Sequence, residues 1–177
     1  MIVFRNADPR FPFLWETANQ PPARWHDVGE GPAHYFADTP DGAWAEFLRH
    51  EEIVEPDDVE TIERSIWAID VGRPPRSRPR LPAAVLRGGL ASYEACRVEA
   101  RRIRDRGAHG LVAPSAALLP GTPSGYRTAG RLRPGPRRRE RVVVLFGRRP
   151  DLVGWAACHV GRPRQELLDR VRPLTRA

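Results

Sequence analysis

Lysine is absent from this 177-residue sequence, so all 29 of its permanently cationic side chains are arginine. A bias this complete reads as a whole-chain compositional feature, although arginine is also the side chain that forks around phosphate or carboxylate. Cysteine is almost as scarce. Cys96 and Cys158 are too few for a disulfide framework or a cysteine metal cluster, and both read as buried thiols. No histidine pair stands at metal-ligand spacing with a carboxylate partner, so no metal is expected. A glycine-rich phosphate loop, an internal repeat and a heptad run are also missing, which excludes the common nucleotide-loop and solenoid classes. No uncharged apolar run approaches the roughly 18 residues of a membrane span. Met1 to Asn6 sets Arg5 directly after a short apolar stretch, without the order of a signal peptide. A cytoplasmic location and no membrane contact are therefore expected.

What is present is a chain of 41% hydrophobic residues, enough for one real core and too short for two full domains, so residues 1–177 read as a single domain. The formal charge is +7 and the isoelectric point near 10.7, which draws polyanions or phosphorylated ligands toward the surface. The arginines cluster near 72–80 (GRPPRSRPR for Gly72 to Arg80) and 131–141 (RLRPGPRRRER for Arg131 to Arg141), both rich in proline or glycine and poor in apolar anchors. Such stretches predict solvated loops rather than packed elements. Neither contains an aromatic residue on which a base could stack, and nucleic acid is not the expected partner.

The pattern alternates short strands with helices. Ile2 to Arg5 and His34 to Ala37 predict strands, and Thr39-Pro40-Asp41 spells a helix start: a capping hydroxyl, a proline at the first helical position and a carboxylate at the positive end of the dipole. That helix runs to about His50. Ala43 with Phe47 and Trp44 with Leu48 form its apolar stripe, leaving Glu46 off centre. Pro56 bars continuation, and Ser65 to Val71 reads as a strand. Ser92 is expected to cap a helix reaching Arg106 and ending at Gly107, with Ala95, Val98 and Ile103 on its buried side. Gly110 to Ala113 then predicts a strand, Arg141 to Phe146 and Leu152 to Val160 predict central strands, and Arg164 to Val171 predicts a last amphipathic helix.

Arg24, Tyr35 and Glu46 are spaced eleven and eleven residues apart, with the glutamate on a helix that follows a strand. A guanidinium, an aromatic face and a carboxylate brought together this way suit a dinucleotide. Their surroundings are specific: Ala-Arg-Trp-His at 23–26, His-Tyr-Phe-Ala-Asp-Thr-Pro at 34–40, Ala-Trp-Ala-Glu-Phe-Leu-Arg-His at 43–50 and Leu-Val-Ala-Pro-Ser-Ala at 111–116. In this order the blocks resemble the RES domain family, and the likeness extends from about Ile2 through the last predicted helix. The arginine block departs from the family's usual Gly-Gly-Arg-Trp-Asn, reading Pro22-Ala23-Arg24-Trp25-His26 here, and no asparagine-proline block follows the serine.

The resemblance implies a compact α+β domain similar to the ADP-ribosyltransferase fold, with small mixed sheets flanked by helices. It also implies an NAD-degrading enzyme, with an Xre-type antitoxin as protein partner and no cofactor beyond NAD as substrate. Matched residue by residue, the family's arginine, tyrosine, glutamate and serine fall on Arg24, Tyr35, Glu46 and Ser115. Their chemistry fits cleavage of the nicotinamide–ribose bond. Arg24 would hold the pyrophosphate, Tyr35 would stack on the nicotinamide, Glu46 would stabilise positive charge on the ribose, and Ser115 would hydrogen-bond the ribose or nicotinamide side. Water or phosphate would accept the ribosyl group. Two rival expectations stand beside this one: ADP-ribosyl transfer to a macromolecule, and a non-catalytic basic binding module.

Overall fold

The computed structural model describes residues 1–17, 19–122 and 125–176. Six strands form one sheet: β1 (Ile2–Ala7), β2 (Ala33–Ala37), β3 (Arg64–Asp70), β4 (Gly110–Pro114), β7 (Arg141–Phe146) and β8 (Val153–Gly161). Their spatial order is β4-β7-β2-β1-β3-β8, and every pairing is antiparallel. The class is α+β, with the strands gathered in one large sheet rather than several small ones. β5 (Tyr126–Thr128) and β6 (Leu132–Pro134) make a separate, exposed ribbon. Part of the second arginine-rich stretch, Leu132–Pro134, is thus paired strand rather than the expected loop.

β7 shows why the middle of the sheet lies where it does. Val142 and Val144 enter one core cluster with Trp25, Cys96 and Ile103, whereas Val143 and Leu145 enter another with Val3, Phe36 and Ile69. Alternate side chains of a strand point to opposite faces, so a run of β-branched and apolar residues is buried twice over. β8, expected to be central, is instead the sheet's edge, with Val153, Trp155 and Val160 more than half exposed. Apolar content alone does not separate a core strand from an edge. Cys158, on that edge strand, is only half-buried, while Cys96 is buried as expected.

Helix α1 (Pro40–His50) carries Glu46 and forms as the sequence predicts. Thr39 Oγ accepts the Gly42 N–H at 3.1 Å, and Ala43, Trp44 and Leu48 pack against Ile66 and Leu118. Burying a side chain of Leu48's size contributes about 1.5–3 kcal/mol. Pro56 opens a further short helix, α2 (Pro56–Glu60), and α3 spans Ala83–Arg87. α4 (Tyr93–Asp105) is the longest helix, yet its phase differs from expectation. Tyr93, Cys96, Ala100 and Ile103 face inward at three- and four-residue spacing, and Ala95 and Val98 fall on the solvent side. Ser92 makes no capping bond; its hydroxyl donates to the Gly89 carbonyl at 2.7 Å. The last predicted helix is a short 3-10 turn, Gln165–Arg170, between Pro163 and Pro173, with Leu167 as its buried anchor. The first arginine stretch has no helix or strand, but the Ser77 carbonyl accepts the Val112 N–H at 3.0 Å and so covers the β4 edge. No helix among the described residues is long and apolar enough to cross a membrane.

Two polar anchors aim the site. At the start of α1, Thr39 Oγ donates to Glu140 Oε2 at 2.8 Å, and Glu140 packs so closely on the helix that a side chain at position 42 would collide with its Oε1. A Cβ there would force the Glu140 side chain off the helix start. Burial, and secondarily the adjacent Asp38 carboxylate, push the Glu140 carboxyl up to about 9. Asp38 itself is held low by its hydrogen bonds and by Arg138 and Arg141, which overcome its burial. The second anchor is Tyr35, whose hydroxyl accepts the Trp25 N–H at 2.9 Å and lies 2.9 Å from His26 Nδ1. It ties the loop carrying Arg24 to β2.

Both anchors make measurable predictions. Glu140 binds its proton more tightly folded than unfolded, so its stabilisation is complete below about pH 4.5 and is lost as pH rises through about 9. Thermal melts between about pH 6 and about pH 10 should show the melting temperature falling in the wild type and falling less in Glu140→Gln; parallel profiles would remove Glu140 from this role. Tyr35→Phe leaves the buried Trp25 N–H without its acceptor and should cost about 1–3 kcal/mol in a denaturant titration. An unchanged midpoint would show that the hydroxyl does not hold the loop.

Candidate active site

A cavity of about 270 Å³ opens between α1, β1, β2 and the loop around Arg24. Arg24, Tyr35 and Glu46 all contribute to its wall. Their meeting follows from the topology. β2 delivers Tyr35 and runs through Asp38 and Thr39 directly into α1, whose off-stripe face presents Glu46, while Tyr35 draws the Arg24 loop back over the strand.

Two carboxylates line the cavity, the exposed Glu51 and Glu46, whose side chain is 30% exposed. Glu46 Oε1 accepts from Ser115 Oγ at 3.3 Å, and its Oε2 lies 3.8 Å from His50 Nε2 one turn along the helix. Ser115 follows the end of β4, and its Oγ accepts the Ala117 and Leu118 N–H groups, each at 3.1 Å. Both lone pairs are thereby occupied, and the hydroxyl proton is left for Glu46. Ser115 does not line the Arg24–Glu46 cavity itself. It stands behind Glu46, on the wall of a second cavity of about 250 Å³.

Arg24 is buried and braced. Its Nη1 donates to the Val85 carbonyl at 3.2 Å and to Ser92 Oγ at 3.0 Å, its Nη2 donates to the Gly88 carbonyl at 2.6 Å, and the guanidinium lies 4.6 Å from the Tyr93 ring centroid. Burial pushes the Tyr35 phenol above its ordinary range, so it remains a neutral donor and acceptor. His26, standing where the family's usual block has asparagine, supplies a polar contact to that phenol.

Sequence reasoning missed three further arginines in the same wall, Arg5, Arg49 and Arg64, of which Arg64 is already engaged: its Nε donates to Asn6 Oδ1 at 2.8 Å and its guanidinium lies 4.9 Å from the Phe47 ring centroid. Arg5 on β1 faces the cavity with a buried Nη1 that has no hydrogen-bond partner, and burial lowers its pKa to about 10. Arg49, three residues beyond Glu46 on α1, donates from Nη2 to the Gly88 carbonyl at 2.9 Å, and its buried Nε has no partner. Its pKa is lowered chiefly by burial, with Glu46 opposing the shift and Arg24 adding to it. The three-residue spacing from Glu46 was the available signal, since i and i+3 share a helix face. It reads equally as a solvated ion pair, and only burial separates the two.

The arrangement puts a carboxylate backed by a hydroxyl, Glu46, among buried guanidiniums beside an aromatic ring. It can take a ligand that carries anionic groups at one place and develops positive charge at another. The RES domain family model matches residues 3–162. No curated protein sequence matches the chain. Among solved structures, a chain of the M. tuberculosis MbcT–MbcA toxin–antitoxin complex is similar in fold, with a TM-score of 0.58 at 16% identity, over 95% of this chain and 86% of that one. The match spans β1 to the end of β8 and includes all four motif blocks, and the chain belongs to the RES domain family.

Proposed function

We propose that the protein cleaves the nicotinamide–ribose bond of NAD, passing the ribosyl group to water or phosphate, and acts as the toxin of a toxin–antitoxin pair. The observation that carries this reading is the convergence of Glu46, Arg24 and Tyr35 on one cavity, with Ser115 hydrogen-bonded to the Glu46 carboxylate. As the carbon–nitrogen bond breaks, its electron pair leaves with nicotinamide and positive charge grows on the ribose. Glu46 opposes that charge from a partly dry wall, where a carboxylate acts more strongly than in water. The Ser115 proton fixes the orientation of Glu46 and leaves Oε2 for the ribose. Tyr35 offers its ring to the departing base. Arg24 sets the positive field of the cavity wall while bracing the loop behind it. An oxygen of water or phosphate then bonds to the ribose carbon, water losing a proton as it does so, and no cofactor beyond NAD is called for.

The partner reading follows from family and charge. The similar fold was solved in a toxin–antitoxin complex, and the +7 surface suits an acidic protein that covers the cleft. An Xre-type antitoxin is the partner of this proposal, and the cytoplasm is its location.

Purified protein incubated with NAD, with and without phosphate, should release nicotinamide; folded protein that releases none refutes the assignment. Radiolabel from the ADP-ribosyl part of NAD, appearing on protein or nucleic acid, would move the reading to a transferase. Glu46→Gln should lower kcat on the order of 10²–10³-fold with little change in melting temperature. A basic binding module would show neither turnover nor sensitivity to that substitution.

A further inference from the structure

The arginine expected to grip phosphate is not the one the fold leaves available. We propose that Arg49 is the principal diphosphate-binding residue of the Glu46 cavity, reinforced by Arg87 from the adjoining cavity, whereas Arg24 is a strut. The identity of the diphosphate as part of NAD rests on the function proposed above; the anion site itself rests on the geometry below.

Both terminal nitrogens of Arg24 are committed to protein acceptors at Val85, Ser92 and Gly88, and one face of the guanidinium is covered by Tyr93. These contacts clamp the Arg24 loop onto α3 and the turn leading into α4. Arg49 is only 3% exposed, more deeply buried than Arg24, yet a single bond from Nη2 to Gly88 is its whole hydrogen-bonded complement among the described residues. Its Nε is sealed from solvent without an acceptor, and among the described residues no carboxylate lies within ion-pairing distance. A charged donor left this way costs more than an ordinary unmade hydrogen bond. An anion in the cavity that Arg49 lines would offset that cost through its charge.

The surroundings specify how much negative charge is wanted. Arg172 donates from Nη1 to the Leu118 carbonyl at 2.6 Å, and its pKa is lowered by burial and then by the charges of Arg87 and Arg49. Arg24 opposes Arg49 in the same way. The four guanidiniums therefore form a linked series, Arg24 with Arg49, Arg49 with Arg172 and Arg172 with Arg87, and Glu46 is the carboxylate that acts on Arg49. Neither Arg87 nor Arg172 forms an ion pair among the described residues. Arg87 lines the second cavity, which shares Pro114 with the first, so the surplus charge spans the junction of the two. A singly charged carboxylate would leave most of that repulsion in place; a diphosphate supplies two charges and several acceptor oxygens.

The test uses ADP and adenosine as probes, which lack the nicotinamide bond, so binding is read independently of whether NAD is cleaved. Calorimetry on the wild type should show ADP bound more tightly than adenosine, with the advantage shrinking as salt rises. Arg49→Met should lower ADP affinity on the order of tenfold or more and leave adenosine nearly unchanged, with Arg49→Lys intermediate because it restores a point charge without the fork. Arg87→Met, at a partly exposed position, should weaken ADP about threefold and keeps the test alive if the Arg49 variants fail to fold. Equal affinity of the wild type for the two probes overturns the proposal. So does full ADP affinity in folded Arg49 variants, or in Arg87→Met when those variants do not fold, and so does loss of ADP binding on Arg5→Met with none on Arg49→Met.

Discussion

A single carbonyl oxygen, that of Gly88, accepts from two buried guanidiniums, Arg24 at 2.6 Å and Arg49 at 2.9 Å, and the rest of the site is arranged around that shared acceptor. Two like charges drawn to one dipole remain mutually repulsive, and a carbonyl carries no net charge to cancel either. The neighbouring carboxylate, Glu46, offsets part of the excess. The cavity is thus positively charged by construction. Glu46, backed by the Ser115 hydroxyl, stands inside that field.

The supports of Glu46 come from distant parts of the chain. Its helix starts at Thr39, whose hydroxyl both caps Gly42 and donates to Glu140, so the entry of α1 is bolted to the residue preceding β7. The Ser115 hydroxyl steadies the carboxylate from the end of β4, and Arg172 holds the Leu118 carbonyl of the same turn. The C-terminal stretch continues past Thr175, whose carbonyl accepts the Leu90 N–H at 2.9 Å and which packs against Gly89. It bridges the Ser115 turn and the Gly88 loop. The two halves of the wall therefore share a common brace.

The four motif residues are legible in sequence because each lies within a local pattern that survives folding. Tyr35 and Glu46 sit on a strand and a helix joined by the cap Thr39-Pro40-Asp41, and such a cap is written in three consecutive residues. Arg24 and Ser115 are flanked by family blocks. Other features carry no such mark. α4 was placed correctly but rotated, since Ala95 and Val98 are as apolar as the residues that pack. β8 reads as central because an edge strand with exposed Trp155 has the composition of a buried one.

The sequence by itself determined the chain order of the six sheet strands, the start of α1 and the family blocks in which Arg24, Tyr35, Glu46 and Ser115 stand, because each of these depends on neighbours a few residues apart. Tertiary structure alone decided which arginines are buried, which of their nitrogens find acceptors, and that Ser115 stands behind Glu46 rather than in the cavity wall. Those properties depend on segments tens of residues away, such as Gly88 for Arg24 and Glu140 for Thr39. The physical reason is that a guanidinium's role is set by its unfilled hydrogen bonds and its desolvation, and neither exists until the chain has folded around it.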